Sequence, residues 1–346
     1  MPLVSRTRAT LRRAELGFLG VAVQTRVQTP RRWGAATRRL RPRPDFRPGV
    51  ATFFFGAFRP LRTSCEVVGM RRTMLATNMR GAMEPEPIFR TLGDSVFAPT
   101  GHARGPWDPD ALHGGAPTAL VVRVIEGLGT GLSLGRLTID FLGPVPLAPL
   151  SVAASVVRPG RRFAVAEATI SANGRPSCVA RAVLVRREPV ALPSHWTLPA
   201  AERLAPPSEG APAPFTASRP GDPAEAFHLT ALDLRFVAGD YGSGPADVWF
   251  RFRRPLVDDA PASALETLAA AADFGNGVSH VLDFEQFLFV NLDLSIQVAR
   301  EPRGEWIALA ARTAVGEDGT GVARSTLHDA DGPVGDATQT LFVAPR

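Results

Sequence analysis

The sequence contains no lysine, only two cysteines and no long apolar run, and each absence excludes a class of protein. All 39 basic residues among the 346 are Arg. Cys65 and Cys178 cannot build a disulfide framework or a four-cysteine zinc site. The apolar runs 16–23 and 51–58 are far shorter than the roughly 20 residues of a membrane-spanning helix. We therefore expect a protein of the reducing cytoplasm, with no transmembrane segment.

The positive charge of the chain is confined to its N-terminal tail. Residues 1–80 contain 17 Arg against three acidic residues, a net charge of +14, whereas the whole chain carries +6. The rest of the chain is therefore acidic, at −8. Because the basic residues are all Arg, we interpret them as a coding bias rather than as a surface selected for polyanions. No nucleic-acid partner is expected.

Residues 1–82 show no sustained helical or strand period and are predicted to be a disordered Arg-rich tail. Their composition resembles a transit peptide or a translated upstream region, and the second interpretation is favoured. Four methionines just before the first patterned segment support it, because each could be the true start: Met70, Met74, Met79 and Met83. An Arg-rich arm that touches RNA or lipid is the remaining alternative.

Residues 83–187 are predicted to form one α+β domain. The apolar positions of residues 112–126 follow helical spacing, and the Gly-rich run 127–135 ends that helix. Four runs rich in β-branched residues follow and are separated by Pro or Gly turns: 136–142, 150–157, 163–171 and 178–185. One helix followed by an antiparallel meander is an α+β unit in which the helix packs on the sheet.

The same order recurs in residues 227–346, after a Pro-rich linker at 188–226 without a period. An Ala-rich helix at 262–273 precedes four strand-like runs: 292–298, 306–313, 321–328 and 338–343. The turns of the two units lie in matching places, as Asn173-Gly174 and Asp331-Gly332 show. The chain is therefore predicted to contain an internal duplication.

Three short motifs accompany this duplication and point to a family. His113-Gly-Gly115 opens the first helix, Ala272-Asp-Phe-Gly-Asn-Gly277 closes the second, and Thr338-Gln-Thr340 lies in the last strand. With the repeated helix and meander, they resemble the double hot-dog acyl-CoA thioesterases of the thioesterase II (TesB-like) type, over about residues 85–346. The resemblance implies a tandem hot-dog fold, in which two antiparallel sheets wrap their helices and join edge to edge.

The resemblance also implies a site in the second half that holds the attacking water. The family's Asp, hydroxyl residue and Gln fall on Asp273, Asn291 and Gln339, with Asp273 as general base or negative charge and Gln339 orienting the water. Asn291 departs from the Thr or Ser usual in the family. An amide can still hydrogen-bond a water, but it cannot turn a single proton between partners.

The residues themselves support this assignment. An acid at the C-terminal end of a helix is unfavourable beside the macrodipole, which indicates another reason for Asp273. Gln339 should point inward with the apolar Leu341, where an amide without a partner is costly. Asn291 serves equally well as a turn residue.

The glycine motif of the first helix has two interpretations. Backbone N–H groups at His113, Gly114 and Gly115 could bind the substrate by polarising a thioester carbonyl, or the glycines could only allow close packing. Aligning the two halves from their C-terminal ends places Arg181 opposite Gln339 and Arg136 opposite Asn291. The first half therefore lacks the trio, and one site per chain is expected.

The predicted function is hydrolysis of acyl-CoA to a carboxylic acid and CoA, within fatty acid metabolism, without metal or cofactor. A non-catalytic acyl-CoA binding hot-dog protein is the alternative, and a homo-oligomer is left open. A hot-dog hydratase would need an Asp-x-Asn-Pro-x-His segment, and an α/β-hydrolase would need Gly-x-Ser-x-Gly. The sequence lacks the first motif. Its match to the second, Gly131-Leu-Ser-Leu-Gly135, lies between the first predicted helix and the strand that follows, whereas a nucleophile elbow lies between a strand and a helix.

Overall fold

A computed structural model describes residues 85–195, 202–214, 224–258 and 260–346. The predicted tail at 1–82 lies outside these ranges. The first half of the described chain consists of β1 (Phe89–Gly93), β2 (Val96–Pro99), α1 (Gly115–Glu126), β3 (Ser133–Phe141), β4 (Leu150–Arg158), β5 (Phe163–Ala172) and β6 (Arg175–Val185). A short 3-10 turn, Gly101–Ala103, precedes α1.

The second half repeats this order with additional short elements. It consists of β7 (Ala211–Pro212), β8 (Leu232–Ala238), β9 (Ala246–Phe252), α2 (Ala264–Ala272), α3 (Gly275–Val278), β10 (Phe287–Asn291), β11 (Asp293–Val298), β12 (Ile307–Val315), β13 (Thr320–Asp329) and β14 (Gly332–Pro345). A single π-helical turn, Phe227–Ala231, leads into β8. The predicted helices and all eight predicted strands are present, with ends shifted by a few residues.

The strands form one continuous antiparallel sheet of 14 members, and its order is β1-β2-β4-β5-β6-β3-β11-β14-β13-β12-β9-β8-β7, with β10 paired to β14. The two halves meet where β3 pairs with β11. At that seam Thr138 lies opposite Ser295, and the two hydroxyl oxygens are 3.2 Å apart. The edge-to-edge tandem hot-dog arrangement is therefore confirmed.

Both helices are buried in a single core on one side of this sheet. That core combines apolar residues of α1 and α2 with inward-facing residues of strands from both halves. The helices run antiparallel, since Arg123 near the end of α1 lies 2.8 Å from Glu266 in the first turn of α2. A capping box fixes the start of α2, because Glu266 N–H donates to Ser263 Oγ and Ser263 N–H donates to Glu266 Oε2.

The strand pairing corrects one sequence alignment. The hairpins β5–β6 and β13–β14 close in the same way, with Arg175 paired to Ala172 and Gly332 paired to Asp329. Counting from these closures, Gln339 is equivalent to Ala182, and the predicted match with Arg181 is wrong by one residue. Alignment from the strand ends failed because β14 extends further than β6.

The same correction applies to the position equivalent to Asn291. Asn291 pairs with Leu341, two residues beyond Gln339, and Leu134 pairs with Leu184, two residues beyond Ala182. Leu134 therefore takes the place that was predicted for Arg136. Gly135 follows Leu134, and Leu292 follows Asn291. The register of strand pairing shifts by one residue at each of these places, so the two halves share the same irregularity.

The Pro-rich linker is partly attached to the second half. Trp249 Nε1 donates a 2.7 Å hydrogen bond to the carbonyl oxygen of Ala205, and Ala211 pairs with Phe236 at the edge of the sheet. The strands β8 and β9 were not predicted, although the apolar alternation in Leu232-Asp-Leu-Arg-Phe236 is typical of a strand. Within the described ranges, no helix has the length and apolarity needed to cross a membrane.

Arg187 stabilises the seam between the halves. Its guanidinium donates to three main-chain oxygens at the ends of β3 and β11, those of Leu134, Val298 and Ala299, at 2.9–3.0 Å. We expect Arg187→Ala to lower the free energy of unfolding by about 2 kcal/mol, because these bonds involve a charged donor. Urea titration of this variant beside Arg181→Ala, whose exposed partner is Glu167, checks it. Equal losses in both variants would contradict the role.

Candidate active site

Asp273 lies at the meeting point of the two helices. It is the residue that ends α2, and its side chain is only 3% exposed. Because α2 runs antiparallel to α1, the carboxylate faces the N-terminal end of α1. A Cβ added to Gly114 would lie 2.8 Å from both carboxylate oxygens. The positive end of the α1 dipole thus compensates the acid that is unfavourable at the end of its own helix.

Polar side chains from three other elements converge on this carboxylate. Asn291 Nδ2 donates to Asp273 Oδ1 at 2.7 Å, and His113 Nδ1 lies 2.9 Å from Oδ2. Gln339 Nε2 is 3.5 Å from Oδ1. The structure therefore brings together the three residues that the sequence predicted, and it adds a direct contact with His113.

Gln339 is directed inward, as predicted, and is 2% exposed. Its Nε2 donates to the main-chain oxygen of Asp273 at 2.9 Å, and its Oε1 accepts the N–H of Asn276 at 2.9 Å. Both ends of the amide are thus bound to the backbone between α2 and α3. A side chain at Gly275 would collide with it, since an added Cβ would lie 3.0 Å from Oε1. Gln339 fixes the turn that carries Asp273.

His113 is held by aromatic rings as well as by Asp273. Its imidazole stacks on Phe274 with ring centroids 4.2 Å apart, and Phe227 lies 5.2 Å away. The Gly115 N–H also points at Nδ1, at 3.1 Å. The side chain is 11% exposed, more than that of Asp273. Of the two members of this pair, His113 is the one that a ligand reaches more readily.

The glycines beside His113 are required by packing. An added Cβ on Gly115 would lie 2.6 Å from the main-chain oxygen of Ala270, and one on Gly114 would meet the Asp273 carboxylate. Close approach of the helices therefore accounts for both glycines. Binding of a substrate carbonyl at His113, Gly114 and Gly115 stays a prediction.

The contacts of Asn276 and Phe227 at this site were not predicted from the sequence. Asn276 is 6% exposed, and its Nδ2 donates to the main-chain oxygen of Phe289 at 3.1 Å. It lies within the sequence motif that closes the second helix, but the sequence gives no sign of its contact with Phe289. Nothing in the sequence links Phe227 to His113, because more than a hundred residues separate them.

The opposite end of the helix pair has different chemistry. There the first turn of α2 meets the last turn of α1, and Arg123 pairs with Glu266 in place of a His and an Asp. Ala182 and Leu134 take the places of Gln339 and Asn291. The two ends are alike in backbone but not in polar groups, so the described chain contains one such carboxylate site.

The buried thiol of Cys178 is unsuited to nucleophilic attack. Cys178 is 0% exposed. Burial, reinforced by the negative charge of Asp273, raises the pKa of this thiol to about 12. Because the thiolate is the nucleophilic form of cysteine, Cys178 is inert near neutral pH.

An aromatic cluster lies beside the site. Trp107, Phe284 and Phe289 pack with ring centroids 4.5–5.2 Å apart, and His280 lies against Phe284. Burial lowers the pKa of His280, whose Nδ1 contacts the Gly277 carbonyl oxygen at 2.9 Å. Phe289 is two residues before Asn291, which places apolar surface next to the carboxylate.

A separate cleft opens at the other end of α2. Its volume is about 540 Å³, and Arg251, Thr267 and Glu305 are among its lining residues. None of the residues around the Asp273 carboxylate lines it. The cleft and the carboxylate site are therefore distinct features of the second half.

The fold and the site define a tandem hot-dog protein with one buried carboxylate between its helices. Sequence profiles match both halves: the acyl-CoA thioesterase N-terminal domain over residues 103–187 and the C-terminal domain over residues 205–343. The chain therefore belongs to the acyl-CoA thioesterase family and is a thioester hydrolase.

Solved structures show the same fold. Acyl-CoA thioesterase II TesB2 from Mycobacterium marinum is 17% identical, with a TM-score of 0.53, and the match covers 75% of this chain and 95% of that one. A hot-dog protein of unknown function from Alicyclobacillus acidocaldarius is also 17% identical, with a TM-score of 0.56 and coverage of 73% and 95%. A search of curated proteins finds no match.

We expect Gly114→Ala to destabilise the helix contact. The added methyl group would press on the Asp273 carboxylate at 2.8 Å, and such overpacking costs roughly 1–3 kcal/mol. Gly277→Ala is the matched control, since an added Cβ there meets nothing within 4 Å. Chemical denaturation followed by circular dichroism measures both variants. A Gly114→Ala variant as stable as the control would show that the helices do not approach so closely.

Proposed function

We propose that this thioesterase hydrolyses acyl-CoA with a water activated at the Asp273 site. The observation that carries the proposal is the His113–Asp273 pair at 2.9 Å, buried where the helices meet and joined by Asn291. Hydrolysis needs a proton acceptor for the water and donors for the oxyanion that forms. Both kinds of group are present around this carboxylate.

His113 is the proton acceptor in this proposal, and Asp273 orients it. A neutral imidazole nitrogen cannot donate to Asp273 and also accept from Gly115. The charge-assisted bond to the ionised carboxylate is the stronger of the two, so Nδ1 carries the proton. The Nε2 lone pair is then available to the water. Of the two roles expected for Asp273, general base or negative charge, the first would require a water to reach a side chain that is only 3% exposed.

The other predicted residues take supporting roles. Asn291 donates to Asp273 through Nδ2, which leaves its Oδ1 to accept a hydrogen bond from the attacking water. Gln339 positions Asp273 through the main chain rather than binding the water itself. The N-terminal end of α1, beside Gly114, would stabilise the oxyanion.

The reaction balances without a covalent intermediate. Water attacks the thioester carbonyl carbon while His113 takes one of its protons. The tetrahedral intermediate collapses, the carbon–sulfur bond breaks, and the CoA thiolate leaves with the electron pair. The protonated His113 then gives its proton to the CoA thiolate, which restores the neutral imidazole, and the carboxylic acid releases its own proton to the solvent. The half-buried rings of Trp107 and Phe284, in the aromatic cluster beside the site, offer an apolar surface for the acyl group.

The composition of the chain bears on its cellular compartment. With two cysteines and no lysine-rich or long apolar segment, we place the enzyme in the cytoplasm and acyl-CoA as its partner. The non-catalytic acyl-CoA binding protein is the competing function, and it predicts binding without turnover.

The charge of Asp273 should be essential for turnover. We expect Asp273→Asn to lower kcat/KM by about 10²- to 10⁴-fold, the contribution usual for acid–base groups. The control is Asp336→Asn, an exposed acid in the same strand as Gln339. Release of CoA is followed with a thiol reagent over acyl chains of different length. If Asp273→Asn keeps full activity, the site is wrong, and tight acyl-CoA binding without release by the unmodified chain supports the competing function.

Two substitutions of His113 separate proton transfer from packing. His113→Phe keeps a ring against Phe274, whereas His113→Ala removes it. If Nε2 accepts the proton, both variants should lose kcat by at least about 10²-fold while KM changes little. A His113→Phe variant that retains kcat would assign the histidine to packing and return the base role to Asp273.

A further inference from the structure

A second cluster of ionisable side chains lies on the other side of the turn that precedes α1. It consists of Glu86, His102 and Glu225, whose ligand-type atoms all lie within 4.8 Å of one another. His102 Nε2 is 3.6 Å from Glu86 Oε2 and 3.9 Å from Glu225 Oε1. The three residues come from distant parts of the chain, so no spacing in the sequence reveals them.

The Thr230 hydroxyl lies between His102 and a main-chain oxygen. Its oxygen is 2.8 Å from the Ala226 carbonyl oxygen and 2.8 Å from His102 Nδ1. In the tautomer whose Nδ1 donates to this hydroxyl, the lone pair on Nε2 points at the two carboxylates.

A buried imidazole and two partly exposed carboxylates converge in this cluster. His102 is 5% exposed, and its Nε2 lies 3.6 and 3.9 Å from the two facing carboxylate oxygens. Both distances are too long for a direct hydrogen bond. The spacing leaves room for an ion that all three groups contact.

The neighbouring arginines leave the facing oxygens free. Arg90 binds Glu86 Oε1 at 2.6 Å, the oxygen that does not face His102. Arg254 donates Nε to the Thr230 carbonyl oxygen and Nη1 to that of Glu86. These guanidinium contacts are with main-chain oxygens or with the outer carboxylate oxygen. Glu86 Oε2 and Glu225 Oε1 remain available as ligands.

We propose that Glu86, His102 and Glu225 form a binding site for a divalent transition-metal cation, with Zn²⁺ as the best-fitting ion. One imidazole and two carboxylates are ligands that Zn²⁺ accepts, at about 2.0–2.2 Å in tetrahedral geometry. Such bond lengths separate ligands by roughly 3.4 Å. The two distances from His102 Nε2, 3.6 and 3.9 Å, are close to this value, and all three ligand atoms lie within 4.8 Å of one another. The Thr230 hydroxyl supplies the partner that orients a ligating histidine.

The site would join three segments around the active-site histidine. Glu86 precedes β1, His102 lies in the 3-10 turn, and Glu225 ends the linker. Beside His102, the Ala103 carbonyl oxygen accepts the N–H of His113 at 3.0 Å. The next carbonyl, that of Arg104, accepts the N–H of Phe227 at 2.9 Å. The cation therefore stabilises the position of the histidine and does not touch the reacting atoms.

The test is binding of Zn²⁺ alone to the full-length, untagged chain after treatment with a chelator. Titration calorimetry should show one saturable site, and Zn²⁺ should raise the melting temperature in a concentration-dependent way. Glu225→Gln and Thr230→Val should each weaken binding at least tenfold, the first by loss of a ligand and the second by loss of its orientation. Glu209→Gln, in the exposed 3-10 turn of the linker, is the control.

Circular dichroism establishes that each variant is folded before titration. Absence of saturable Zn²⁺ binding to the unmodified chain would overturn the proposal. So would equal affinities in the unmodified chain, Glu225→Gln and Glu86→Gln, because another site would then hold the ion. None of these readouts depends on thioesterase activity.

Discussion

The buried carboxylate of Asp273 is the constraint on which the arrangement of the helices depends. An ionised group removed from water is costly unless charges and hydrogen bonds replace its solvation. Here the N-terminal end of α1, His113 and Asn291 provide that replacement. The helices can approach closely enough only because Gly114 has no side chain. Packing and charge therefore support one another at a single place.

The duplication explains why a continuous sheet carries one site rather than two. Antiparallel helices create two equivalent ends, and each end joins the start of one helix to the end of the other. One end carries the His113–Asp273 pair, and the other carries the Arg123–Glu266 ion pair. The charges of that ion pair are already matched, so Glu266 is not available as a base. Leu134 and Ala182 stand there in place of Asn291 and Gln339, so within the described ranges the polar trio is complete only at the first end.

Much of the fold could be predicted from the sequence, because the period of apolar residues determines which face of a strand or helix is buried. The same alternation correctly placed Gln339 inward. The register between the two halves was predicted less well. Because β14 is longer than β6, the residue equivalent to Gln339 is Ala182 and not Arg181. The strands β8 and β9 were missed although their alternation is visible.

The contacts of the site lie beyond what a sequence pattern contains. Asp273, Asn291 and Gln339 were named through a family resemblance, and only the antiparallel helices bring His113 to them. Likewise, the Gln339 amide can hydrogen-bond the main chain only because of the conformation of the turn between α2 and α3. Tertiary geometry, rather than residue type, decides which polar groups are free to react.

The most direct measurement is a crystal structure of Asp273→Asn with a non-hydrolysable thioether analogue of acyl-CoA. The carbon standing for the thioester carbonyl should lie beside His113 and Asn291, with the acyl chain against the half-buried rings of Trp107 and Phe284. A ligand whose reactive carbon lies at the Arg123–Glu266 end, or in the 540 Å³ cleft at the far end of α2, would contradict it.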